Sequence, residues 1–62
     1  MSLSSRFRKA RIAAGLSQTE LAAIASVDQT TISAIERGTS KQPRLIGAFA
    51  NALGVSASWL QY

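Results

Sequence analysis

Apolar side chains along this chain recur at helical spacing. Leu3, Phe7, Ala10 and Ala14 fall at i, i+4, i+7 and i+11, one face of a 3.6-residue helix, with Ile12 projecting to the opposite side. Ser2 can cap that helix, and Gly15 suits the left-handed residue that ends it. A second helix opens where Ser17 and Glu20 form the S-x-x-E pattern of a capping box, bracketed by Leu16 and Leu21 as a hydrophobic staple. Leu21, Ala22, Ile24 and Ala25 supply its apolar face. After a break at Ser26-Val27, Asp28 is placed to cap a third helix running to about Arg37, with Ile32 and Ile35 inward and Gly38 ending it.

Thr39 to Pro43 read as a loop. Pro43 restricts Gln42 to extended geometry and can start a fourth helix, whose stripe is Leu45, Ile46, Phe49 and Leu53. Gly54 closes it, and Ser56 can cap a final turn or two with Trp59 and Leu60 facing inward. Short helices joined by short loops predict an all-α, compact five-helix domain over residues 1–62. Composition agrees. Sixty-two residues leave room for one small domain, and eleven alanines favour helices that approach closely.

The absences remove much chemistry. With no Cys and no His there is no disulfide, thiol nucleophile, thiolate metal site or imidazole base. The carboxylates are Glu20, Asp28 and Glu36, and the first two read as helix caps. No enzyme, metal site or cofactor is expected. The stretch Gly38-Thr39-Ser40-Lys41 lacks the first glycine and the spacing of a phosphate loop. The longest apolar run, Leu21–Ala25, is far too short for a membrane span or a secretory signal core, so a soluble cytosolic protein without membrane partners is expected.

Charge gives the first positive clue. Seven basic residues against three acids leave +4. Arg6, Arg8, Lys9 and Arg11 form one cluster and Arg37, Lys41 and Arg44 another, while residues 12–36 hold three acids and no base. A solvated surface is the plain reading. Two basic clusters flanking a nearly neutral helix suit a polyanion better, because phosphates line both edges of a groove.

Gln18 through Arg37 has the spacing of a helix-turn-helix. Ala22 is small where the next helix crosses, residue 26 sits in a turn that favours left-handed backbone, and Ile32 and Ile35 pin the following helix to the core. Such a motif places its second helix in a DNA major groove, whose width just admits one. On a helical wheel, Gln29, Thr30, Ser33, Ala34 and Arg37 form the outer face. A face made only for solvent should carry more Lys and Glu. Gln29 at the tip can donate and accept bidentately with adenine, Thr30 and Ala34 offer methyl groups to thymine, and Thr31 or Ser33 can reach bases or phosphates.

The chain resembles the DNA-binding domains of lambdoid phage repressors and their Cro relatives. The match rests on Ser-Ser-Arg at 4–6, Arg11-Ile12, Gly15-Leu16-x-Gln18-x-Glu20-Leu21-Ala22, Ile32, Glu36, Lys41-x-Pro43-Arg44 and Leu53-Gly54-Val55-Ser56-x-x-Trp59-Leu60. The Trp-Leu-Gln-Tyr ending is closest to Cro, whereas Gly-Val-Ser is similar to the repressors. Ser26 departs from the family's usual glycine, which should cost of order 1 kcal/mol if its backbone is left-handed.

The resemblance implies a regulator that represses transcription by occupying a double-stranded DNA operator in a bacterial host's cytosol or nucleoid. It implies that Gln18 supports Gln29 and also meets a phosphate, and that Arg11 and Glu36 form a partly buried ion pair. It further implies that Arg44 enters the minor groove near the dyad, sensing shape. Ser17, Thr31, Arg37, Lys41, Gln42 and Arg11 are the supporting or phosphate candidates, and Arg6, Arg8 and Lys9 are plausible further ones.

One copy reads too few base pairs, so a homodimer on a pseudo-palindrome is expected, monomeric or weakly associated in solution. Its contacts are placed near Gln42, Leu45, Ala57, Trp59 and Leu60. An antitoxin-type or protein-interaction module on the same fold is the alternative, which a blocked outer face over 29–37 would favour. A membrane-surface segment fails because the apolar faces belong to short capped helices that need one another.

Overall fold

Local signals set most of the helix boundaries. The computed structural model describes residues 2–62, with α1 at Leu3–Ala13, α2 at Gln18–Ala25, α3 at Gln29–Arg37, α4 at Ile46–Leu53 and α5 at Ala57–Gln61. A 3-10 turn at Pro43–Leu45 precedes α4. Among the described residues there is no strand, so the fold is all-α with five helices. None of these helices is long and apolar enough to cross a membrane.

The serine caps form as chemistry dictates. Ser2 Oγ accepts from the Ser5 amide at 3.3 Å, and Ser56 Oγ accepts from the Trp59 amide at 3.0 Å. At α2 the box is complete: the Glu20 amide donates to Ser17 Oγ at 3.0 Å and the Ser17 amide to Glu20 Oε1 at 2.9 Å. Asp28 differs from expectation. Its side chain makes no capping bond, and α3 starts on the backbone alone, with the Thr31 amide donating to the Asp28 carbonyl at 3.0 Å.

Every helix sends at least one side chain to a common centre. Phe7 from α1, Leu21 from α2, Ile32 and Ile35 from α3, Phe49 from α4 and Leu60 from α5 are fully buried. Each contributes roughly 1.5–3 kcal/mol by leaving water. Phe7 and Phe49 meet edge to face, with centroids 5.1 Å apart and planes at 85°. That geometry aligns a ring edge with a negative π face and adds about 0.5–1.5 kcal/mol. Ala10, Ala22 and Ala50 are buried beside them, small enough for the helices to close up.

Three positions depart from the periodic reading. Ala14 is exposed because α1 ends at Ala13, before the last repeat of its stripe. Ile24 is 57% exposed, whereas the exposure of Ile12 accords with its place opposite the α1 stripe. Ile24 lies at the edge of a wide apolar arc, and α2 turns its Leu21–Ala22 side to the core instead. Trp59 does not face inward either. On so short a helix Leu60 takes the core position, leaving its neighbour at the surface. The loop holds a further difference: Gln42 is left-handed at φ 46°, ψ 57°, not extended. The reversal brings the Leu45 amide onto the Gln42 carbonyl at 2.9 Å and starts the 3-10 turn.

Candidate nucleic-acid interface

The junction between α2 and α3 begins at Ser26, whose φ of 58° and ψ of 43° are left-handed. Its amide and that of Val27 fold back onto the end of α2, the latter reaching the Ala22 carbonyl at 2.9 Å. The chain then reverses into α3, which buries Ile32 and Ile35. Gln29 and Thr30 are exposed at its N-terminal tip, as is Arg37 at its other end. Thr31, Ser33 and Ala34 are half-buried. Ser33 Oγ accepts from Arg37 Nη1, and Thr39 Oγ1 donates to the Ala34 carbonyl at 3.1 Å. The freest surface of α3 is therefore its first turn.

A chain of hydrogen bonds leads from the interior to that turn. Arg11 Nε donates to Glu36 Oε2 at 2.6 Å and Nη2 to Glu36 Oε1 at 3.1 Å, a bidentate pair with side chains only 12% and 6% exposed. Arg11 Nη1 donates to the Leu16 carbonyl at 2.8 Å. Hydrogen bonding to Glu36 raises the Arg11 pKa above its ordinary value, against the opposing effect of burial. All three Arg11 nitrogens thus donate within the protein. Gln18 Nε2 donates to Glu36 Oε1 at 3.3 Å, and Gln29 Nε2 donates to Gln18 Oε1 at 2.6 Å. Eighteen residues separate Gln18 from Glu36, so no local spacing announces their contact.

The basic residues divide by role. Arg6 lies over the Trp59 ring, 5.9 Å from its centroid, and its Nη1 donates to the Trp59 carbonyl at 3.1 Å. That contact ties α1 to α5 and holds the Arg6 guanidinium against the Trp59 ring. Arg8, Lys9, Arg37, Lys41 and Arg44 keep exposed side chains. Gln42 is half-buried and donates from Nε2 to Ser40 Oγ at 3.0 Å, which adds Ser40 to the loop's polar set. Ser17 is exposed but its hydroxyl serves the α2 cap.

Of the residues placed at a dimer contact, Ala57 is exposed, Trp59 is 40% exposed and Gln42 and Leu45 are half-buried. Leu60 is fully buried, so it holds that surface from beneath and offers none of it. The 38–44 loop and the chain's end are neighbours: Lys41 and Pro43 line one cleft with Gln61 and Tyr62.

Two comparisons bear on this arrangement. A family model described as helix-turn-helix matches residues 7–60. Among solved structures, the crystal structure of a hypothetical transcription factor, NHTF, from Neisseria is similar to this chain with a TM-score of 0.89 and 38% identity. The likeness covers 97% of this chain and 70% of that one.

Proposed function

The chain belongs to the helix-turn-helix family, and on that premise we propose that it is a sequence-specific, double-stranded DNA-binding transcriptional regulator of the repressor and Cro type. It is not an enzyme in this reading, and it works among the nucleic acids of a bacterial cytosol or nucleoid. The observation that carries the reading is the first turn of α3. Gln29 and Thr30 are exposed directly after the left-handed turn, and Gln18 already holds the Gln29 amide.

Inserted in a major groove, that turn offers Gln29 to an adenine edge and the Thr30 methyl to thymine. Thr31, Ser33 and Ala34 flank it. Lys41, Gln42 and Arg37 meet phosphates and set orientation, and Arg44 enters the adjacent minor groove. The molecule measures 24 × 23 × 19 Å, small enough for two copies side by side on half-sites about one DNA turn apart. Ala57, Trp59, Leu45 and Gln42 then meet their counterparts across the dyad of a pseudo-palindromic operator.

Selection from random duplexes, followed by fluorescence titration, tests this. A palindromic consensus is expected, and Gln29→Ala should lower affinity for it by about 1–3 kcal/mol while relaxing preference at one base pair per half-site. Equal binding to all sequences, or an unaltered profile for Gln29→Ala, would refute the assignment.

A further inference from the structure

We infer that Glu36 is a positioning residue for base discrimination: acting through Gln18, its carboxylate fixes which way round the Gln29 amide faces the groove. The inference rests on the DNA-reading role proposed for Gln29. An amide paired with an amide has no inherent sense, because either partner can supply the N–H or the carbonyl. Gln18 and Gln29 alone form such a pair. An ionised carboxylate breaks the symmetry, since it can only accept. Arg11 grips Glu36 with two N–H donors, at 2.6 and 3.1 Å, so the carboxylate stays in place.

Gln18 must therefore turn its Nε2 toward Glu36 Oε1, at 3.3 Å, and its carbonyl toward the tip of α3. That carbonyl takes one N–H of Gln29 Nε2 at 2.6 Å. The outward edge of Gln29 is left with its carbonyl and its second N–H in one fixed order. Adenine presents an acceptor beside a donor in the major groove, whereas guanine presents two acceptors. A fixed order matches adenine in one placement. A reversed amide presents the donor and acceptor exchanged and loses that match.

Replacing the carboxylate by an amide of the same shape removes the sense of the relay. In Glu36→Gln, Gln18 and Gln29 can turn together, and both orders reach the groove. Preference for the best base over its alternatives should fall by about tenfold at the single position Gln29 reads, with the other positions unchanged. Gln18→Met interrupts the relay while leaving the Arg11–Glu36 pair intact, and should relax the same position. Leu53→Val, a core truncation remote from the relay, supplies the stability control. It should lower the melting temperature and leave the base profile as it was.

The test selects duplexes from a random library with the natural chain, then titrates each variant against all single-base replacements of the selected sequence. Side-chain amide spectra of the free protein give a second readout. Gln29 should show one Nε2 proton shifted downfield by its bond to Gln18, and Glu36→Gln should reduce that shift as the two orders average. Relaxation confined to one position in Glu36→Gln, or in Gln18→Met should Glu36→Gln not fold, supports the inference. A selective natural chain whose folded variants keep the profile at that position overturns it. A natural chain with no sequence preference overturns the DNA-reading role itself, a separate and recognisable result.

Discussion

At φ 58° Ser26 keeps a left-handed backbone in which an L side chain crowds the following carbonyl, at roughly 1–2 kcal/mol. Glycine would remove the crowding but loses more backbone entropy on folding, about 0.5–1 kcal/mol. Ser26→Gly should therefore stabilise by about 0.5–1 kcal/mol net and raise the melting temperature by about 3–6 °C. A thermal scan by circular dichroism reads the shift, and an unchanged or lower midpoint contradicts the account. This strain was legible in the sequence, because the motif's spacing fixes residue 26 in the turn whatever occupies it. The equal strain at Gln42 was not. Pro43 argues for an extended predecessor, and only the tertiary need to turn the loop onto α4 overrides that local preference. Asp28 shows the same limit: its type and position suit a cap, but whether a carboxylate bonds its own helix depends on a rotamer that sequence does not specify.

Among the elements, α2 is the one most fully written into its own residues. Serine, glutamate and the bracketing leucines define its start, and the complete box is present. The Ser17 backbone amide, and after it the Ser17 hydroxyl side, hold the Glu20 pKa below the usual carboxylate value. A depressed folded-state value has a definite sign. The contribution is fully present above the unfolded-chain pKa, about 4.3, and is lost as the pH falls through the lower folded value. Melting temperatures measured from neutral pH into acid should fall less steeply for Glu20→Gln than for the natural chain. Parallel curves would remove the linkage. The buried faces of α1, α3 and α4 were also readable, because Phe7, Ile32, Ile35, Phe49 and Leu53 recur at helical period. Ile24 was misplaced because the apolar residues of α2 spread over a wide arc, and Trp59 because α5 is short. In both, several apolar residues fit more than one inward direction, and packing against other helices decides.

For the molecule as a whole, the charge count overstates what a polyanion can meet. Two of the seven basic side chains are used internally, Arg11 on Glu36 and Arg6 on α5. Composition cannot separate these from Arg8, Lys9, Arg37, Lys41 and Arg44. The Arg6 contact joins residues 53 apart, and nothing near either one signals the other. The exposed set makes a quantitative expectation. Log affinity for DNA should decline linearly with log salt, and Lys41→Ala and Arg44→Ala should each reduce that slope by about 1. Arg6→Ala should instead leave the slope nearly as it was and lower the thermal midpoint. A slope insensitive to Lys41 and Arg44 would detach the loop from the phosphates. The site divides in the same way. Residues of the motif itself were found from spacing, while the link from Glu36 to Gln18 required the fold to bring α1, α2 and α3 together.

The chain also carries its own optical reporter. Its single tryptophan stands half in solvent with a guanidinium stacked above the indole, beside the surface proposed for a second copy. Emission from that one fluorophore should shift to shorter wavelength when a neighbour excludes water from it, and to longer wavelength when α5 detaches. Pairing on a duplex and loosening of the final helix can thus be followed in unlabelled protein as opposite changes in colour.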